Sequence, residues 1–191
     1  MSIKNSLNLK LAILMVLLIP IFFGFRVEYL VPLFLYYTIW DILIIALGLV
    51  GLLFFGYFLI IRIFSKEDLE KMKSHEIVYA LIVKNFRPLI INFLATMILE
   101  ELIFRFYVIG VLDMILDWTV AIILSSIIFS LYHIHIWFSF KNSKILAVYL
   151  IYAFLLGILN GIIYFKLGLV FCILIHYGLV LILYSGIARK I

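Results

Sequence analysis

The run Ile98-Leu99-Glu100-Glu101-Leu102-Ile103-Phe104-Arg105 sets two carboxylates and a guanidinium inside an apolar stretch long enough to cross a membrane. An acid or an arginine at the centre of a transmembrane helix costs about 2.5–3.5 kcal/mol, so the three together would cost roughly 8–10 kcal/mol if unpaired. Pairing must offset most of that. Glu101 and Arg105, four apart, share a helix face and can pair along it, whereas Glu100 lies about 100° round the helix and faces elsewhere. One carboxylate is thereby left for chemistry.

The rest of the chain requires the same setting. Of its 191 residues 68% are hydrophobic and 13% charged, against about 45–50% apolar in a soluble domain. The expected fold is all-α, a polytopic transmembrane helical bundle. No Gly/Ser- or Pro-rich linker and no fixed-period repeat divides it, so residues 1–191 are expected to form a single integral membrane domain in a lipid bilayer. A net charge of +5 does not point to nucleic acid, because the basic residues lie in short loops and at the termini. Cys172, the single cysteine, reads as a small packing residue.

With about 20 residues per crossing, six spans are expected. The first covers about 9–25, bent at Pro20, with no small-x-small cleavage site after it, so it is read as retained. The second covers about 38–62, with Tyr29 to Tyr37 in the interface and Asp41 near the headgroups. The third covers 88–110 after an Arg87-Pro88 helix entry, and the fourth runs from an interface anchor at Trp118 to Phe138. The fifth and sixth cover 145–164 and the segment reaching Ala188. Between the second and third, Ser65 and Asp68 form a capping signature for an amphipathic interfacial helix. The apolar run Ile77 to Val83 is too short to cross and is expected to pack on the bundle or dip into the interface. Asp113 and Asp117 read as solvated turn acids.

Counted on that topology, Lys4, Lys10, Arg62, Lys66, Lys71, Lys73, Lys84, Arg87, Lys141, Lys144, Arg189 and Lys190 fall on one side and only Arg26 and Lys166 on the other. The positive-inside rule then puts both termini in the cytoplasm. Measured from these basic anchors at ~1.5 Å per residue, Glu100, His133 on the fourth span and His176 on the sixth lie roughly 12–20 Å deep. Three ionisable groups at one depth suit a water-filled cavity between helices. His135, two residues from His133, is expected to face away as an interhelical hydrogen-bond partner, and Asn92 and Asn160 to bridge helices.

Glu100-Glu101-x-x-x-Arg105, Phe129-x-x-x-His133 and the late His176 together resemble the CPBP intramembrane protease family, which includes CAAX prenyl endopeptidases and bacteriocin-processing or immunity (Abi) proteins. The likeness covers about residues 87–185. It implies that Glu100 activates the attacking water with help from His133, that His176 stabilises the oxyanion, and that Arg105 holds Glu101 ionised. Burial makes a carboxylate a better proton acceptor, and donors in a low-dielectric cavity stabilise an oxyanion strongly, so the chemistry is coherent. The family's last motif is His-x-x-x-Asn or Asp, but four residues after His176 stands Val180. Another donor such as Asn160 would have to substitute, or turnover is weakened.

The expected activity is therefore glutamate-dependent intramembrane cleavage of a hydrophobic or lipidated peptide, in a bacterial plasma membrane, with no cofactor. One Glu and two His could instead form a three-ligand zinc site from Glu100, His133 and His176, although there is no HExxH spacing. Two other functions compete: an immunity or scaffold protein of the same fold, favoured by Val180, and a small proton-coupled transporter, for which two similar halves with interrupted helices are not apparent.

Overall fold

The computed structural model describes residues 3–31 and 38–191, with side chains from residue 7 onward in the first helix. The part of the expected interfacial segment at 32–37 lies outside the described residues. Eight helices follow in order among those described, besides a 3-10 turn at Val27–Tyr29: α1 Ile3–Phe22, α2 Ile39–Ile63, α3 Lys66–Met72, α4 Glu76–Ile82, α5 at 88–112, α6 Trp118–Phe140, α7 Ser143–Leu167 and α8 Leu169–Lys190. There is no strand among them.

Helices stand at all six places where spans are expected, and four of them, α2, α6, α7 and α8, are long and apolar enough to cross a membrane. α1 contributes a shorter apolar stretch, Leu7–Phe22. α5 carries the charged motif, and its ladder widens into π turns over Pro88–Phe93 and Leu102–Ile109. Such turns are rare and concentrate at functional sites. Leu102, Phe104, Arg105, Phe106 and Ile109 of the second π segment are all buried. Pro88 opens the helix at its first position, where the missing N–H costs nothing.

The helix ends follow local chemistry. Ser65 accepts from the Asp68 backbone N–H while Asp68 accepts from Ser65, closing the expected capping box of α3. Asp68 does more than cap. It takes hydrogen bonds from Asn142 at 2.8 Å and Lys144 at 2.7 Å, tying α3 to the start of α7. Burial alone would raise the Asp68 carboxyl, but these donors together with Ser65 hold it well below the usual carboxylate range. Thr38 and Asp41 form a second capping box, and Asp41 pairs with Lys166 at 3.0 Å. Asp113 is not merely solvated: it accepts from Arg26 at 3.1 Å, because Arg26 reaches across to the end of α5 and also donates to the Gly110 carbonyl at 2.9 Å. Asp117 caps α6 through the Thr119 N–H.

The bundle is assembled by α7, which packs along α6 and also meets α2 and α8, while α5 lies against α1, α6 and α8. α4 buries Ile77, Val78 and Ala80 against α8, as expected for an apolar run too short to span. α6 and α7 approach closely because Gly157 and Gly161 face Ser126 and Ile122. Two serine hydroxyls within the bundle bond to backbone carbonyls of neighbouring helices, Ser125 to Phe104 at 2.7 Å and Ser130 to Leu150 at 2.8 Å. That satisfies polar groups which lipid cannot.

Candidate active site

α5, α6 and α8 bring Glu100, His133 and His176 to the wall of one cavity of about 310 Å³, together with Phe129 and Val180. The carboxylates do not diverge as the helical wheel suggests. His176 lies between them, with Nδ1 2.7 Å from Glu101 Oε1 and Nε2 3.8 Å from Glu100 Oε2. The 100° between adjacent residues is bridged by a ring whose two nitrogens point in opposite directions.

Glu101 is fully buried and carries several contacts. Arg105 Nε lies 3.2 Å from Oε2, an ion pair one helical turn long, while the Asn160 amide donates to Oε1 at 3.0 Å alongside His176. An arginine partner keeps Glu101 a carboxylate, so His176 Nδ1 must be the donor to it. His176 therefore presents a lone pair at Nε2 when neutral and an N–H when doubly protonated. The Arg105 guanidinium, also fully buried, stacks over Phe129, its central carbon 4.5 Å from the ring centroid. Its two terminal nitrogens find no hydrogen-bond acceptor among the described residues, and the electron-rich ring face supplies the stabilisation.

Phe129 has a larger part than one turn of ordinary packing would give it. Its ring meets His133 edge-on at 4.9 Å, His176 at 5.6 Å and Phe104 at 5.0 Å between centroids, besides holding Arg105. His133 Nδ1 lies 2.9 Å from the Phe129 carbonyl, which can only accept, so Nδ1 carries the hydrogen and Nε2 is the ring's acceptor. His135 does not face away from His133. The helix tightens to 3-10 geometry over His133–His135, which brings the two rings to 5.9 Å, and both line the cavity.

Asn160 departs from the role of substitute oxyanion donor. Its Nδ2 is engaged by Glu101 and by the Cys172 carbonyl at 3.3 Å, and the residue is fully buried behind Glu101. Cys172 returns a hydrogen bond from Sγ to the Asn160 carbonyl at 3.2 Å, consistent with packing. Val180 lines the cavity, so the departure from the family's His-x-x-x-Asn/Asp pattern falls in the site itself. Among the described residues no group of three His, Cys, Asp or Glu side chains is gathered as metal ligands.

Several cavity residues carry no motif in the sequence. Lys10 reaches in from α1, and Asn92 and Thr96 precede Glu100 on α5 at steps of four. At another part of the wall His75 Nε2 meets the Tyr184 hydroxyl at 3.2 Å, and Tyr184 meets Tyr149 at 3.1 Å. The four-residue spacing of Asn92, Thr96 and Glu100 is the one signal that could have found part of this set, since it puts them on one helix face.

Residues 82–182 match the protein-family model described as Type II CAAX prenyl endopeptidase Rce1-like, which is more than half of the chain. The chain belongs to the Rce1-like family. The resemblance carried by the three motifs is thus borne out, over nearly the span from which it was read. Membership together with the apolar helices makes this an integral membrane protein of the CAAX-protease kind. Neither the curated proteins nor the solved structures give a match to the chain.

Proposed function

We propose that the protein is a glutamate-dependent intramembrane endopeptidase that hydrolyses a hydrophobic or lipidated peptide without a metal. The observation that carries the reading is one cavity walled by Glu100, His133 and His176, with Glu101 fixing the His176 ring. Glu100 accepts a proton from water, and His133 Nε2 takes the second hydrogen bond and orients it. The water oxygen bonds to the scissile carbonyl carbon, and the carbonyl electron pair moves onto oxygen. His176, protonated on both nitrogens and held by Glu101, donates Nε2–H to that oxyanion. Collapse re-forms the carbonyl and breaks the C–N bond, and the proton on Glu100 passes to the leaving amine.

The test is cleavage of hydrophobic peptides by the full chain in proteoliposomes. Glu100→Gln keeps shape but cannot accept the proton, and cleavage should fall by about 10²–10⁴-fold. Full cleavage by that variant rejects the mechanism. Activity lost to a chelator and restored by zinc would replace it with metal chemistry, whereas indifference to chelation is expected.

A second reading is favoured by Val180, which stands on the cavity wall where the family pattern has an amide or acid. An immunity or scaffold protein that has lost turnover would retain the fold. Cleavage by Val180→Asn but not by the natural chain would select it.

A further inference from the structure

The turn between α4 and α5 carries two cations that no acid holds. Elsewhere at the basic end Lys71, Lys73 and Lys144 pair with carboxylates at 2.7, 3.7 and 2.7 Å. Lys84 and Arg87 are exposed, and their side chains make no ion pair or hydrogen bond among the described residues. Glu76, the nearest acid in sequence, is engaged elsewhere: it lines the cavity and accepts from Asn92 at 3.0 Å.

The turn is fixed by its own backbone. The Asn85 N–H donates to the Ala80 carbonyl at 2.9 Å, and the Arg87 N–H donates to Asn85 Oδ1 at 3.3 Å. Lys84 takes a left-handed φ of 56° at the end of α4, a position where glycine is favoured. A cation is kept there at the expense of backbone strain that glycine would relieve.

The apolar neighbours of these cations set their depth. α4 turns Ile77, Val78 and Ala80 inward, while Tyr79, Val83, Phe86 and Ile90 are between 47% and 62% exposed. The Ile90 N–H donates to the Phe86 carbonyl, so Phe86 and Ile90 stand on one face at the entry to α5. Exposed aromatic and aliphatic side chains of this size sit in the hydrocarbon edge of a bilayer. Lys84, two residues before Phe86, and Arg87, one after it, then stand at the level of lipid phosphates. In a zwitterionic lipid the choline ammonium opposes two such cations, whereas an anionic headgroup brings no charge against them.

We propose that the α4–α5 turn binds an anionic phospholipid, with Lys84 and Arg87 on the headgroup phosphate and Phe86 and Ile90 against the acyl chains. None of these four residues lines the cavity, and the site is independent of the peptidase reading.

The test places a reporter in the turn. The full chain with Phe86→Trp goes into phosphatidylcholine vesicles holding a minor share of phosphatidylglycerol or phosphatidylcholine brominated on the acyl chains, where bromine quenches an indole in contact with it. The three natural tryptophans give a background, measured on the chain without that substitution. Quenching of the added indole against lipid fraction should show phosphatidylglycerol bound about 5–30-fold more tightly than phosphatidylcholine, the range for one to two cations at a lipid surface. Lys84→Gln with Arg87→Gln should bring the two lipids level. Lys71→Gln with Lys73→Gln removes the same charge from an acid-paired part of the surface and should leave the preference in place. Equal quenching by both lipids, no quenching by either, or a preference that survives Lys84→Gln with Arg87→Gln overturns the site. A preference lost equally with Lys71→Gln and Lys73→Gln also overturns it, because the net charge of the basic end would then be the attractant.

Discussion

Glu101 and Glu100 are neighbours in sequence, and their surroundings assign them different work. Glu101 is completely buried and gathers an arginine, an asparagine and a histidine, whereas Glu100 faces the cavity, where His176 approaches it to 3.8 Å. Replacing Glu101 by Gln keeps an acceptor for His176 and Asn160 but leaves Arg105 a buried cation with only the Phe129 face beside it. Breaking a buried ion pair on one side costs about 3–5 kcal/mol, so Glu101→Gln should lower the melting temperature and folded yield in detergent. Glu100→Gln should leave both near the natural values while cleavage falls, since it removes no ion-pair partner of Arg105. A Glu101→Gln protein of normal stability would show that the ring face alone holds Arg105. The Glu101–Arg105 pair was legible because both ends lie on one helix at i and i+4. The contacts of Asn160 and His176 to Glu101 were not, because nothing local in a sequence tells which side of a ring faces which of two adjacent acids.

At the scale of elements, the site depends on how near α6 comes to α7, since α6 carries Phe129 and His133. A Cβ built on Gly157 would stand 2.9 Å from the Ser126 Cβ and 3.1 Å from its Cα, and one on Gly161 would stand 2.7 Å from an Ile122 methyl. This is the small-xxx-small packing that lets helix backbones touch in lipid, where the hydrophobic effect does not drive association. Gly157→Leu should force the pair apart, lowering the melting temperature and moving His133 away from Glu100. Thermal stability and cleavage of hydrophobic peptides by that variant measure both effects, and a variant unchanged in either would mean that α6 is positioned from elsewhere. Element types and most boundaries were legible from apolar length, the Ser65–Asp68 cap and Pro88. What misled was regularity. Reading the end of α6 at constant helical pitch turned His135 away from His133, whereas a 3-10 turn at His133–His135 brings both to the cavity. The π widening of α5 over Leu102–Ile109 likewise has no local sequence mark.

Across the whole molecule, the charges sort by end. Arg26 and Lys166, the two basic residues on the expected outer side, are each held by an acid, Asp113 at 3.1 Å and Asp41 at 3.0 Å. At the other end the side chains of Lys71, Lys73 and Lys144 are between 41% and 50% exposed while paired with acids near them. Orientation responds to the number of Lys and Arg flanking the spans, and acids contribute little to it, so these pairs do not weaken the asymmetry. Both termini should therefore be cytoplasmic. Lys10 enters the cavity from the basic end. Cys172, fully buried, gives a quiet background for labelling. A cysteine added at either terminus of the chain in intact cells should react with an impermeant maleimide only after permeabilisation. Reaction of one terminus from outside would mean an odd number of crossings. Reaction of both would invert the protein, putting Lys10 and Glu76 toward the exterior and requiring that any peptide reach Glu100 from that side.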